Sequence, residues 1–147
     1  MIDRLQEFRT KYQVEPLTVY SNASWTWSVR TVQATLGAGM LSLHRLAPTL
    51  GSVNREEMAD LADMLATVER TVNAAFHNDR INFIALMMTD QLAHMHFFPR
   101  FASPQEFAGH TWTDATWPNL PPLGGNRELS TPDVLETVAA ELRRRVR

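Results

Sequence analysis

The chain has 147 residues, 44% apolar and 20% charged, with no cysteine. Such a length and composition describe one folded domain and exclude a disordered chain, a disulfide scaffold, a zinc ribbon, an iron–sulfur site and a thiol nucleophile. A net charge of −2 and a pI near 6.2 give no general attraction to DNA or RNA polymers.

Thirteen arginines against the single Lys11 point to a GC-rich bacterial genome. Residues 1–15 are charged throughout and lack an apolar signal core. The longest near-apolar stretch, 81–88, is eight residues, where a membrane helix needs about twenty. The expectation is a cytoplasmic protein with no membrane partner. Residues 1–147 read as a single domain: a core over about 17–101, an irregular loop over 102–130 and a final helix over 131–146.

Ile2, Leu5, Phe8 and Tyr12 recur at helical spacing and predict a short amphipathic helix. After Pro16 comes a β-rich run to Ser21, then a turn at 21–23. Trp25, Trp27 and Val29 alternate with Thr26, Ser28 and Arg30, the period of a half-buried strand. Beyond Gly37 and Gly39, 40–43 is its partner strand. Asn54 and Glu57 form a capping-box pattern that opens a long helix to Phe76. Met58, Leu61, Leu65, Val68, Val72 and Phe76 are its expected inner stripe. Residues 78–80 read as a turn, 81–88 as a strand, Thr89 and Asp90 as a tight turn, and 91–98 as a strand ended by Pro99. Phe107, Trp112, Trp117 and Leu120 are expected to pin the loop 102–130, with 121–127 its least ordered part. Thr131 caps the last helix, Pro132 sits at its first position, and Arg143–Arg145 fall in its last turn as a solvated end. The fold class is α+β.

The chemistry concentrates in 91–100. On a strand His94 and His96 share a face, with Leu92 and Phe98 beside them and Ala93, Met95 and Phe97 turned to the core. The two imidazoles stand about 6.5–7 Å apart along the strand. Two parallel histidines suit a metal, an anion or nucleophilic group transfer, and such a pair is also common as a purely structural feature. A metal would need a third ligand, and His44, His77, His110 and Asp90 all lie at non-diagnostic spacings.

Residues 82–101 resemble the signature strand pair of the histidine-triad superfamily, His-φ-His-φ-His-φ-φ followed by Pro-Arg, with φ apolar. Pro99-Arg100 sets the register, placing His96 on the third histidine, His94 on the second and Leu92 on the first. Leu86–Asp90, Trp27–Arg30, Thr35–Gly37, Ser42–Arg45, Phe107–Gly109 and Trp112–Pro118 are similar to a bacterial branch that includes diadenosine polyphosphate hydrolases.

The resemblance implies an antiparallel sheet of about five strands, with the long helix on one face and a nucleotide on the other. It implies hydrolysis or transfer at the α-phosphorus of a nucleoside anhydride, ester or phosphoramidate. His94 is then the nucleophile, with its other ring nitrogen donating to a backbone carbonyl, and His96 assists departure of the leaving group. Arg30 and Gln91 are the expected nucleotide contacts. No cofactor is required, and Mg²⁺ enters only with a polyphosphate substrate. The partner is a nucleotide, and homodimers are common in the family. Leu92 departs from the pattern, and the loss of that first histidine predicts a slower enzyme or a nucleotide-binding module without turnover. His44-Arg45 reads as a strand-end pair, Asp90 as a turn former, His77 as a helix-end cation, and the four tryptophans as core or loop anchors.

Overall fold

The computed structural model describes residues 3–124 and 128–146. A five-stranded antiparallel sheet has the order β1-β2-β3-β5-β4. Its strands are β1 (Thr18–Ser21), β2 (Trp25–Val29), β3 (Gly39–Leu43), β4 (Arg80–Ile84) and β5 (His94–Arg100). Helix α1 (Arg4–Lys11) precedes the sheet, α2 (Arg55–Phe76) joins β3 to β4, and α3 (Pro132–Arg145) closes the described chain. The α+β architecture agrees with the expectation. No helix among the described residues is long and apolar enough to cross a membrane.

Local sequence explains most of these elements. Asn54 accepts from the Glu57 amide while the Glu57 carboxylate accepts from the Asn54 amide, the predicted capping box. Arg45 donates to the same carboxylate, and these bonds hold it at a pKa of about 2. Thr131 caps α3 with Pro132 at its start. One sheet face, carrying Trp25, Trp27, Leu41, Leu43, Ala93 and Phe97, packs with residues of α2 and α3 in a single apolar core. Gly39 admits the Phe97 ring, because a Cβ there would fall 2.4 Å from its Cζ.

Several expectations need correction. Met58 is 48% exposed and Leu65 only half-buried, while Met64 and Thr71 are buried: the helix is rotated from the stripe read off the sequence. β4 ends at Ile84 rather than continuing to residue 88, because the chain then leaves the sheet through Met87 in the left-handed region. β5 begins at His94 rather than 91 and runs through Pro99 to Arg100. The β3 pairing ends at Gly39 opposite Phe97, so at Pro99 the strand is flanked by β4 alone and tolerates a residue without an N–H. The loop 102–130 contains a hairpin, β6 (Gln105–Phe107) and β7 (His110–Trp112). Its turn residues Ala108 and Gly109 both have positive φ, the two-residue hairpin geometry.

Phe107 packs edge-on against Phe76, and Trp112 is buried. Leu120, expected as an anchor, is 84% exposed. Arg100 instead fastens this loop: its buried guanidinium donates to Asp114, Asn82, Thr116 and the Asn119 carbonyl. Residues 125–127 of the segment expected to be least ordered lie outside the described residues.

Candidate functional site

β5 lies between β3 and β4, with His94 opposite Ser42 and His96 opposite Met40 and Ile84. Directly opposed residues project from one side of a sheet. Thr26, Ser42 and His94 therefore form one row, and Ser28, Met40 and His96 the next, on the face turned away from α2. The predicted pairing of the histidines holds: their ring centroids are 5.4 Å apart with planes at 85°.

His94 is only 4% exposed. Its Nδ1 lies 2.6 Å from the Leu92 carbonyl oxygen. A carbonyl only accepts, so Nδ1 carries the proton and Nε2 keeps its lone pair. The acceptor belongs to the main chain of residue 92, which leucine supplies as well as histidine does. Orientation of His94 thus rests on a main-chain atom and not on the side chain at position 92. The Leu92 side chain is buried with Phe8, Val14 and Met40.

His96 is half-buried, and its Nδ1 is sealed from solvent with no hydrogen-bond partner among the described residues. Burial, then the charges of Arg30 and His94, push its pKa down to about 4, so the ring is neutral at pH 7. Arg30 stacks over Phe98, 5.2 Å from the ring centroid, and donates to the carbonyls of Val32 and Leu123. It pairs with no carboxylate among the described residues, and burial lowers its pKa from the usual value. Ser28 Oγ and Ser42 Oγ, on the histidine face, are also buried without partners.

The charges of Arg30 and His94 both reach His96. Gln91 is exposed and lines a cleft beside α1, away from that cluster's hydrogen bonds. His44 bonds Thr26 and the Ala23 carbonyl, a strand-end role. His77 is the left-handed C-cap of α2, and His110 lies in β7. Among the described residues no three His, Asp or Glu side chains converge as a metal site.

Sequence reading missed what covers the histidines. Phe8 stands edge-on to His94 at 5.1 Å, and the Tyr12 ring lies at 6.5 Å. The Tyr12 hydroxyl and Lys11 Nζ donate to Asp90 Oδ2 at 2.6 and 3.0 Å. Strand β2, expected to be half-buried, is buried on both faces. The spacing of Phe8 and Tyr12 revealed an apolar helix face, but nothing local named its target.

An imidazole of fixed tautomer, a second, neutral imidazole and an arginine that pairs with no carboxylate among the described residues thus lie together on one sheet face. The fold is that of the histidine-triad proteins. No protein-family model matches the sequence, and no curated protein matches it. Solved structures do. The chain superposes on a histidine triad protein from Sinorhizobium meliloti 1021 with a TM-score of 0.72 at 17% identity, covering 99% of this chain and 96% of that one. A histidine triad protein from Bradyrhizobium japonicum gives 0.69 at 19% identity, covering 88% and 90%. A hypothetical histidine triad nucleotide-binding protein from Sulfolobus tokodaii gives 0.67 at 13% identity, covering 92% and 87%.

Proposed function

We propose that this chain is a bacterial, cytoplasmic nucleotide hydrolase or nucleotidyl transferase of the histidine-triad type, acting on nucleoside phosphate anhydrides, esters or phosphoramidates such as dinucleoside polyphosphates. The observation that carries the reading is the hydrogen bond from His94 Nδ1 to the Leu92 carbonyl, which keeps Nε2 nucleophilic beside a neutral His96. His94 Nε2 forms a bond to the α-phosphorus as the bond to the leaving atom breaks. His96 donates its N–H to the phosphoryl or leaving oxygen, and Arg30 offsets charge on the phosphate. Water then attacks the nucleotidyl-imidazole, releasing a nucleoside monophosphate and restoring His94. Gln91 is the outer nucleotide contact.

No metal takes part in these steps, and Mg²⁺ serves only to bind a polyphosphate substrate. The enzyme stripped of metal should therefore keep its activity on an AMP ester in EDTA. A homodimer fits the edge strand β4 with the exposed Leu86, Met88 and Leu120 near it in sequence or along its groove, and light scattering tests it.

The second reading, a nucleotide-binding or sensing module with little turnover, is favoured by one observation: α1 covers His94. Turnover of a fluorogenic dinucleotide or AMP-amide separates the two. His94→Ala should abolish turnover while AMP still binds within about tenfold, or 1.4 kcal/mol. Rapid quench should trap an acid-labile adduct on His94. Wild-type turnover in His94→Ala, or an adduct on another residue, overturns the mechanism.

A further inference from the structure

The histidine face is roofed by a short helix rather than a packed layer. α1 has eight residues and one buried side chain, Phe8. On this face Ser42 Oγ, directly across from His94, Ser28 Oγ and His96 Nδ1 are buried without hydrogen-bond partners among the described residues. Sealed polar atoms without partners are unfavourable, and a closed face that contains three of them is suited to receive a polar ligand.

The roof is fastened at one point. Lys11 Nζ and the Tyr12 hydroxyl both donate to the same oxygen of Asp90. Lys11 also stacks on Tyr12, and the Tyr12 ring in turn lies beside His94. These are two donors of the kind that bind phosphate, gathered on a carboxylate next to the nucleophile. The charge of Asp90 reaches both histidines, and Tyr12 is electrostatically coupled to Arg30. Asp90 therefore occupies, from within the chain, the position of an anion.

Both sides of this fastening adjoin residues in the left-handed region: Gln13 follows α1 with φ +51, and Met87 precedes Asp90 with φ +48. Such positions suit hinges. A cleft of about 620 Å³ separates α1 from the β4–β5 connection, lined by Arg4, Lys11, Asp90 and Gln91 among others.

We propose that α1 is a substrate-responsive roof: Lys11 Nζ and the Tyr12 hydroxyl, held on Asp90 in this structure, pass to the phosphate oxygens of the bound nucleotide. Lys11 and Tyr12 are then further substrate-binding residues, and Asp90 is their stand-in anion. A phosphate offers more charge and more acceptor oxygens than one carboxylate, which drives the exchange. The proposal rests on the nucleotide reading of the histidine face.

The test measures AMP affinity by calorimetry in the full chain and in Asp90→Asn, Lys11→Met and Tyr12→Phe, each confirmed as folded by its melting curve. Asp90→Ser replaces Asp90→Asn if the amide does not fold. The exchange predicts opposite signs: releasing the donors tightens AMP about three- to tenfold, and removing either donor weakens it by a similar factor. A purely structural clasp predicts shifts of one sign. Amide exchange over residues 4–12 should also speed up in Asp90→Asn without nucleotide, with α2 unchanged. Affinity shifts all of one sign, or none, overturn the exchange and leave the nucleotide reading standing. AMP binding by none of the four overturns the nucleotide reading, and the exchange falls with it.

Discussion

The two faces of the sheet are built for different ends. Under α2 and α3, large apolar side chains interdigitate: Trp25, Trp27, Leu41 and Phe97 are all fully buried. Under α1, the opposing rows are Thr26, Ser42 and His94, then Ser28, Met40 and His96, with a thin apolar seam of Phe8, Val14 and Leu92 above them. Burial is nearly as complete on the second face as on the first, yet it covers hydroxyls and imidazoles. Burial on the first face supplies folding free energy. On the second it sets the ionisation of His96. Equal burial thus does opposite work, according to what is buried.

The sharpest way to break this comparison is to cut equal rings from each face. Phe97→Ala removes a fully buried ring wedged against Trp27 and Phe83 and should lower unfolding stability by about 3–5 kcal/mol in urea titration. Phe8→Ala removes a ring of similar burial from a short helix of which it is the one buried side chain, and should cost less than half as much, about 1–2 kcal/mol, while amide exchange of α1 rises. Equal losses would make α1 part of the global core.

Leu65→Ala probes the border of the first face. Because Leu65 is half-buried, the loss should be about 1–2 kcal/mol, below the 2–5 kcal/mol of a fully buried leucine. A value in the upper range would put Leu65 back in the stripe.

The last test is the pH response of the second face. The His96 pKa is lowered from 6.5 to about 4, mainly by burial. Between those values the unfolded chain binds the proton and the folded one does not. His96 therefore contributes stability fully above about pH 6.5, and it is lost as pH falls toward 4. NMR should find the His96 ring unprotonated at pH 5.5, whereas a midpoint near 6.5 would mean that water reaches the ring.

Local rules were enough for much of this molecule. Asn54 and Glu57 marked the start of α2 three residues apart, because capping is satisfied within one turn. The alternation of β5 put His94 and His96 on one face, because a strand's period is two wherever it pairs. Their likeness to a histidine-triad motif pointed to the fold. The Phe107–His110 turn was not legible, because its geometry puts Ala108 at a positive φ, where Asn-Gly or Asp-Gly would have announced it. Other features were decided only by contacts distant in sequence. Met58 has the right spacing for the core and still faces solvent, because the rotation of α2 is set by the sheet it packs on. Pro99 continues β5 because β3 has already ended beside it. Leu92 reads as a lost histidine, yet in three dimensions its carbonyl orients His94 and its side chain anchors α1. Lys11 and Tyr12 reach Asp90 across nearly eighty residues of chain, at separations of 79 and 78. No local periodicity encodes such a pairing, since it exists only once the sheet has formed and α1 has closed over it.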